Sequence, residues 1–209
     1  MKQIKNIIFD LGGVIINLDI KKTIAEFNKI SHLPFETIYT QAKQTELFNQ
    51  FDKGKITTED FFKEIKKEIN YTGDDESLFY AWNAMLLDVP EDRLDTLVDA
   101  KQNYNTFLLS NTNEPHIVMF EHDLYHKHGV KNFEDYFDKV YYSCRVGMRK
   151  PDKEIFEMVL NENKLNPEET VFIDDSIQHV QGAGAVGIKA YLLQNNMEVR
   201  ELLKQLKLL

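Results

Sequence analysis

A single cysteine, Cys144, is all this chain carries, which excludes an internal disulfide and suits a reducing, cytoplasmic setting. No apolar run approaches the roughly 20 residues that a membrane-spanning helix needs. Positive charge is in deficit: at a net −9 the chain lacks the basic surface of a nucleic-acid groove. Any anionic substrate must therefore find a locally positive pocket. Residues Met1 to Ile16 begin with lysines and turn apolar, a faint imitation of a secretion signal. Asp10 interrupts that run and no small-residue cleavage site follows, so a leader is not expected. Repeats, low-complexity tracts and long linkers are missing too. Neither a nucleic-acid nor a membrane partner is expected, and the sequence does not distinguish a monomer from a dimer.

What is present is enough apolar material, 43% of 209 residues, for an ample core, or a core with a small insert. The stretch Ile7 to Ile16, IIFDLGGVII, is almost wholly apolar with a carboxylate in its middle. A strand buried on both faces reads as a continuous apolar run, so Ile4 to Phe9 is expected to be the central strand of a parallel sheet. Asp10 stands at its end. Gly12 and Gly13 let the backbone turn and approach a ligand closely. Burying an unpaired carboxylate is costly, so a metal or a lysine should meet Asp10.

From Asn17 to Leu87 the pattern becomes helical. Ile20, Ile24, Phe27 and Ile30 recur at helical spacing, Pro34 suits the first turn of a second helix, and Thr57 to Asp60 resembles a capping box. Phe61, Phe62, Ile65 and Ile69 form the stripe of the helix that follows, and Asp74 to Leu87 gives another. Pro90 restarts the chain in a helix. Short strands are then expected at Thr106–Ser110, Lys139–Tyr142, Thr170–Ile173 and Ile188–Leu193. Helices separate them, one around Met119–Tyr125, one opened by Pro151 and one whose small residues at 182–185 are expected to let it lie close to the sheet, before a final helix carrying Val199, Leu202, Leu203 and Leu206. Strands alternating with helices imply an α/β fold with a doubly wound parallel sheet and right-handed crossovers. The expected organisation is a Rossmann-like core of residues 1–16 and 88–209 with an inserted all-helical unit at 17–87.

Three strands end in polar residues of one kind: Asp10, Ser110 and the pair Asp174-Asp175. In open α/β sheets the carboxyl edge is where ligands bind, and Lys150, in the turn after the third strand, can reach it. Strand-end serines and aspartates often only cap turns, but together these residues suit phosphoryl transfer. A carboxylate nucleophile splits hydrolysis into formation and breakdown of an aspartyl-phosphate. Mg²⁺ takes carboxylate, phosphate and water oxygens, and Asp10 with Asp174 and Asp175 fits that ligand list. Lys150 would neutralise phosphate and nucleophile. Ser110 and the Asn111 amide would hold phosphate oxygens at a helix start.

The motifs FDLGGVI, LLSNTN, GMRKP and VFIDDS, in that order, resemble the four signatures of the haloacid dehalogenase superfamily, and the helical insert resembles its C1 type of cap. The resemblance is nearest to bacterial sugar-phosphate phosphatases acting on compounds such as α-glucose 1-phosphate, whose first motif likewise reads Asp-Leu-Gly. It implies a phosphatase of small phosphorylated metabolites, with Asp10 as nucleophile and Ser110 and Lys150 binding phosphate. It also implies Mg²⁺ held by Asp10, Asp175 and the Gly12 carbonyl, with Asp174 ligating or orienting. One departure stands out. Most phosphatases of the superfamily carry a second Asp, a general acid/base, where this chain has Gly12. His116 is one candidate substitute, against a surface position for it, and His179 is expected to face solvent. Phe48, Phe51, Lys53, Lys55, Trp82 and Asn83 are candidate contacts from the insert, Trp82 being expected in its core before a contact, and Asn17 is a hinge. The alternatives are a phosphomutase of the same fold and a weakly catalytic protein that binds a phosphorylated ligand.

Overall fold

The computed structural model describes residues 3–31, 34–35, 46–194 and 197–209. The apolar segment after the N-terminus forms β1, Asn6–Phe9, buried throughout. Three further elements of the first half, α1 (Ile20–Ile30), α2 (Glu46–Asp52) and α3 (Thr58–Glu68), precede α4 (Asp75–Asn83). Beyond Phe35, the helix expected to open at Pro34 falls on residues outside the described ones. Thr57 caps α3, its hydroxyl accepting from the Asp60 amide at 3.1 Å, and Asp74 caps α4 through the Ser77 amide. The helix expected to reach Leu87 ends at Asn83 instead, because the chain must straighten to leave this unit. There Leu18 and Leu86 pair as an antiparallel bridge, and the Asn17 and Leu87 amides donate to Asp88 and Asn17 carbonyls at 3.0 Å each. Asn17 thus sits where the entering and leaving segments pair antiparallel.

The second half alternates. It runs α5 (Glu91–Lys101), β2 (Asn105–Ser110), α6 (Glu114–His128), β3 (Lys139–Tyr142), the single turn α7 (Ser143–Val146) and α8 (Lys153–Glu162). After these come β4 (Thr170–Asp174), α9 (Ile177–Ala185), β5 (Lys189–Leu192) and α10 (Val199–Gln205). All strand pairs are parallel and the order is β3-β2-β1-β4-β5, so β1 is central as its apolar run requires. Residues alternate between two apolar layers. Ile7, Phe9, Leu108 and Ile173 pack with Leu97, Phe120 and Leu203 from α5, α6 and α10. Ile8, Leu109 and Phe172 pack with Ile155, Phe156 and Ala183 from α8 and α9. A third cluster lies among α1 to α4, the helices between β1 and α5: Phe27, Phe48, Phe51, Phe61, Ile65 and Trp82, among others.

Two expectations need correction. Pro151 does not open α8, whose N-cap is Asp152; it sits in the turn before, joined to Lys150 by a cis bond. The small residues of α9 do not all serve close packing on the sheet. A Cβ at Gly182 would lie 2.5 Å from the Pro151 carbonyl oxygen, whereas one at Gly184 would meet nothing within 4 Å. Gly182 therefore lets α9 approach the turn that carries Lys150. Among the described residues no helix is long and apolar enough to cross a membrane.

Candidate active site

The Asp10 amide still donates to the Ile173 carbonyl at 2.9 Å, so Asp10 leaves β1 level with the end of β4, where Asp174 and Asp175 follow. Beyond Asp10 the chain turns tightly, with Gly13 donating to Ile16 and both Ile15 and Ile16 donating to Leu11. Gly13 has φ +74°, and a Cβ there would lie 2.2 Å from Asp175 Oδ2. Glycine is needed at 13 both for the left-handed backbone and for the closeness of Asp175.

Lys150 is the pivot. Its side chain is fully buried, and its Nζ donates to Asp10 Oδ1 at 2.7 Å and to Asp174 Oδ2 at 2.6 Å. It also lies 5.3 Å from the centre of the Phe172 ring. A buried ammonium survives only when paired, and here two carboxylates from two strands meet it. The turn bearing Lys150 is fixed by Asn111, whose side-chain amide donates to the Lys150 carbonyl and accepts from the Lys150 amide, both at 2.9 Å. The Asn111 side chain is thus committed to positioning Lys150, and only its backbone amide is left to meet a phosphate. Ser110 and Thr112 are buried, and both line the cavity that Asp10 also lines. Ser143 holds Thr112 by hydrogen bonds in both directions.

Asp174 is completely buried. Its second oxygen accepts from the Ser176 amide at 2.8 Å and meets His179 Nδ1 at 2.9 Å. His179 is therefore not a solvent-facing residue of α9: it folds back onto the strand end. A histidine five residues past a strand-end aspartate, in the first turn of the next helix, is the only signal the sequence offers for this.

The electrostatics are lopsided. Burial pushes the Asp10 carboxyl up, repulsion from Asp174 adds to this, and the Lys150 contact recovers only part. Burial acts on Asp174 in the same direction, yet Lys150 and His179 outweigh it and hold the group below the usual carboxylate range. Asp175 is pushed up to about 6, by burial first and then by Asp174. Asp10, Asp174 and Asp175 offer ligand atoms all within 4.8 Å of one another, against a single ammonium. Surplus negative charge in a buried oxygen-rich cluster suits a hard divalent cation.

Asp10, Lys150 and Asp175, though not the fully enclosed Asp174, line a cavity of about 820 Å³ that residues from α2 and α4 also line. Phe48, Lys53 and Lys55 line it, as expected, and so does Trp82; Asn83 does not, nor does Phe51, which is packed inside the insert. Trp82 is both core and contact, since its ring packs among Phe48, Phe51 and Phe61 while its Nε1 donates to Asn113 Oδ1 at 3.1 Å. Further ties run from insert to core. Lys53 pairs with Asp152 at 2.9 Å, Asn49 accepts from Arg149, and Asp52 faces Arg149 at 3.7 Å. A Cβ at Gly54 would sit 2.0 Å from the Cys144 carbonyl oxygen, so the insert rests directly on core backbone there. His116 is no surface residue. It lines the cavity, stacks on Trp82 with ring centres 5.1 Å apart, and bonds Asn83 Oδ1 through Nδ1 at 2.8 Å.

Comparison with known proteins agrees with the fold. A family profile described as haloacid dehalogenase-like hydrolase matches residues 4–187. A curated relative, D-ribitol-5-phosphate phosphatase of Bacteroides thetaiotaomicron, is 30% identical over 199 residues, covering 95% of this chain and 96% of the relative. A HAD family enzyme of the same organism, solved as a magnesium complex, superposes with a TM-score of 0.87 at 36% identity, covering 97% of this chain and 100% of that one. A HAD-like family hydrolase from Porphyromonas gingivalis gives a TM-score of 0.86 at 30% identity, covering 99% of both chains. With a parallel sheet, a strand-end carboxylate cluster and relatives matching along nearly its whole length, this chain belongs to the haloacid dehalogenase-like hydrolases.

Proposed function

We propose that the chain is a Mg²⁺-dependent phosphatase of small polyhydroxylated phosphate monoesters, sugar or polyol phosphates, with Asp10 as its nucleophile. The observation that carries this reading is the buried Lys150 bridging Asp10 and Asp174 at the floor of the cavity. An Asp10 oxygen attacks phosphorus and the ester P–O bond breaks; the alcohol leaves with a proton drawn from water. Water then attacks the phosphorus of the aspartyl-phosphate, the bond to Asp10 breaks, and inorganic phosphate departs with the carboxylate restored. Lys150 fixes the nucleophile and offsets charge as phosphate approaches. Ser110 and the Asn111 amide hold the phosphate oxygens.

Asp10, Asp175 and the Gly12 carbonyl would hold Mg²⁺. The turn's hydrogen bonds use the Leu11 and Ile16 carbonyls and not that of Gly12. Asp174, with both oxygens already engaged, would orient Lys150 rather than ligate. When bound, Mg²⁺ supplies the positive charge that lets an anionic phosphate approach an anionic carboxylate.

Residues 17–87 act as the cap, and residues 1–16 and 88–209 as the core. A separate apolar cluster and the antiparallel pairing of Leu18 with Leu86, where the chain enters and leaves, support that division. The sequence motifs resemble α-glucose 1-phosphate phosphatases, while the curated relative acts, by its name, on D-ribitol 5-phosphate; both substrates are phosphorylated carbon chains rich in hydroxyls. The test is steady-state turnover of both compounds and of p-nitrophenyl phosphate, with Mg²⁺ and with a chelator. Mg²⁺-dependent turnover that Asp10→Asn abolishes is expected. Metal-independent turnover, or an Asp10→Asn variant that keeps its rate, would overturn the proposal.

A further inference from the structure

His116 has one nitrogen whose role the fold fixes and one that the fold leaves open. The Asn83 side-chain amide donates to the Phe79 carbonyl at 2.8 Å, which turns its oxygen toward His116 Nδ1. Nδ1 must then be the protonated nitrogen, donating to Asn83 Oδ1 at 2.8 Å. A neutral imidazole with a proton on Nδ1 carries a lone pair on Nε2. Burial pushes the His116 pKa down to about 3, so the ring stays neutral near pH 7 and is no resting proton donor.

The ring is held on other sides as well. It stacks on Trp82, and the His116 amide and Trp82 Nε1 both donate to Asn113 Oδ1. The pyrrole-like nitrogen is thereby fixed and the ring plane is set by two elements, α4 of the insert and α6 of the core. Among the described residues no group bonds Nε2, and Nε2 is not one of the fully enclosed unpartnered atoms. His116 lines the cavity that holds Asp10.

Building on the phosphatase reading, we infer that His116 Nε2 is a preset acceptor for a hydroxyl of the substrate's carbon chain, making His116 a specificity residue at the joint of insert and core. A donor is what Nε2 requires, and a polyol or sugar offers several. A fixed acceptor also discriminates better than a mobile one, since an analogue without the hydroxyl leaves it unpaired in a half-buried site.

The test compares wild type with His116→Phe, which keeps an aromatic ring on Trp82, using ribitol 5-phosphate, α-glucose 1-phosphate and p-nitrophenyl phosphate, which has no aliphatic hydroxyl. The expected result is a roughly 10-fold fall in the ratio of kcat/KM for the better polyhydroxylated substrate over p-nitrophenyl phosphate, expressed in KM. An unchanged ratio, or a loss expressed in kcat for both substrates alike, would overturn the inference. Asn83→Ala, which frees the tautomer without touching the ring, should lower the same ratio by a smaller factor. It stands in should His116→Phe fail to fold by its thermal melt, and an unchanged ratio in it then overturns the inference. A wild type that turns over p-nitrophenyl phosphate but neither polyhydroxylated compound would remove the substrate reading on which the inference rests, and the inference with it.

Discussion

Replacing Gly12 by aspartate should restore the proton donor that the first motif lacks. A positioned general acid contributes roughly 10²–10⁴-fold, and the benefit is greatest for alkoxide leaving groups, which are poor without a proton. The structure decides whether the side chain fits. Gly12 is not among the residues with positive φ, so aspartate meets no backbone penalty there. Its Cβ would lie 2.6 Å from Leu18 Cδ1, closer than contact allows. That atom, though, is the tip of a side chain 38% exposed, so a rotamer change of about 1 Å relieves the clash at small cost. The neighbouring glycine gives the contrast. Gly13→Ala combines φ +74° with a Cβ 2.2 Å from Asp175 Oδ2, costs ~1–2 kcal/mol of backbone energy, and displaces a proposed metal ligand. The assay is kcat/KM on ribitol 5-phosphate and p-nitrophenyl phosphate at pH 7. Gly12→Asp should raise the first by about 10-fold or more and leave the second, with its good leaving group, far less changed. Gly13→Ala should depress both. A Gly12→Asp variant that slows both substrates, while melting like the wild type, would refute the reasoning that leaving-group protonation limits this enzyme.

Lys150→Ala leaves Asp10 and Asp174 facing each other without a cation. Breaking a buried pair in this way costs roughly 3–5 kcal/mol, and melts in chelator should show a loss that is large at pH 8 and smaller at pH 5, where the carboxylates can take up protons. A loss independent of pH would mean that packing, not charge, sets the cost. Asp52 tests the sign of an insert–core contact. Burial pushes its carboxyl up to about 6, and Arg149 only partly offsets this. A raised carboxylate binds more protons folded than unfolded, so its contribution to stability falls as pH rises from about 4 through 6. Asp52→Asn should therefore be more stable than wild type at pH 8, by at most ~3 kcal/mol, with the advantage gone below pH 4. A variant destabilised at pH 8 would show instead that the Arg149 ion pair dominates.

The core of the fold was legible because β1, β2 and β4 are apolar runs ending in polar residues, and that pattern reports burial on two faces directly. Asp10, Ser110, Lys150 and Asp174-Asp175 could be placed on one edge for the same reason. What stayed hidden depends on contacts between residues far apart in the chain. The reciprocal link of Asn111 with the Lys150 backbone, the tie of His179 to Asp174, and the stacking of His116 on Trp82 leave no periodic trace. Residues such as His116 and Trp82 look like ordinary helix positions until two units meet. The single turn at Ser143–Val146 and the 3₁₀ turn at Phe133–Tyr136 are too short to show a helical repeat. Apolar spacing continues through Leu87, where the chain is extended, and so runs past the end of α4 at Asn83.

The most direct test of the central claim, that Asp10 takes the phosphoryl group, is chemical trapping. Enzyme mixed with excess ribitol 5-phosphate and Mg²⁺ is quenched in acid within the first turnovers, digested, and mapped by mass spectrometry. A phosphoryl adduct is expected on the peptide containing Asp10, absent without Mg²⁺ and absent in Asp10→Asn. An adduct on another residue, or turnover with no adduct on any peptide at any quench time, would contradict it.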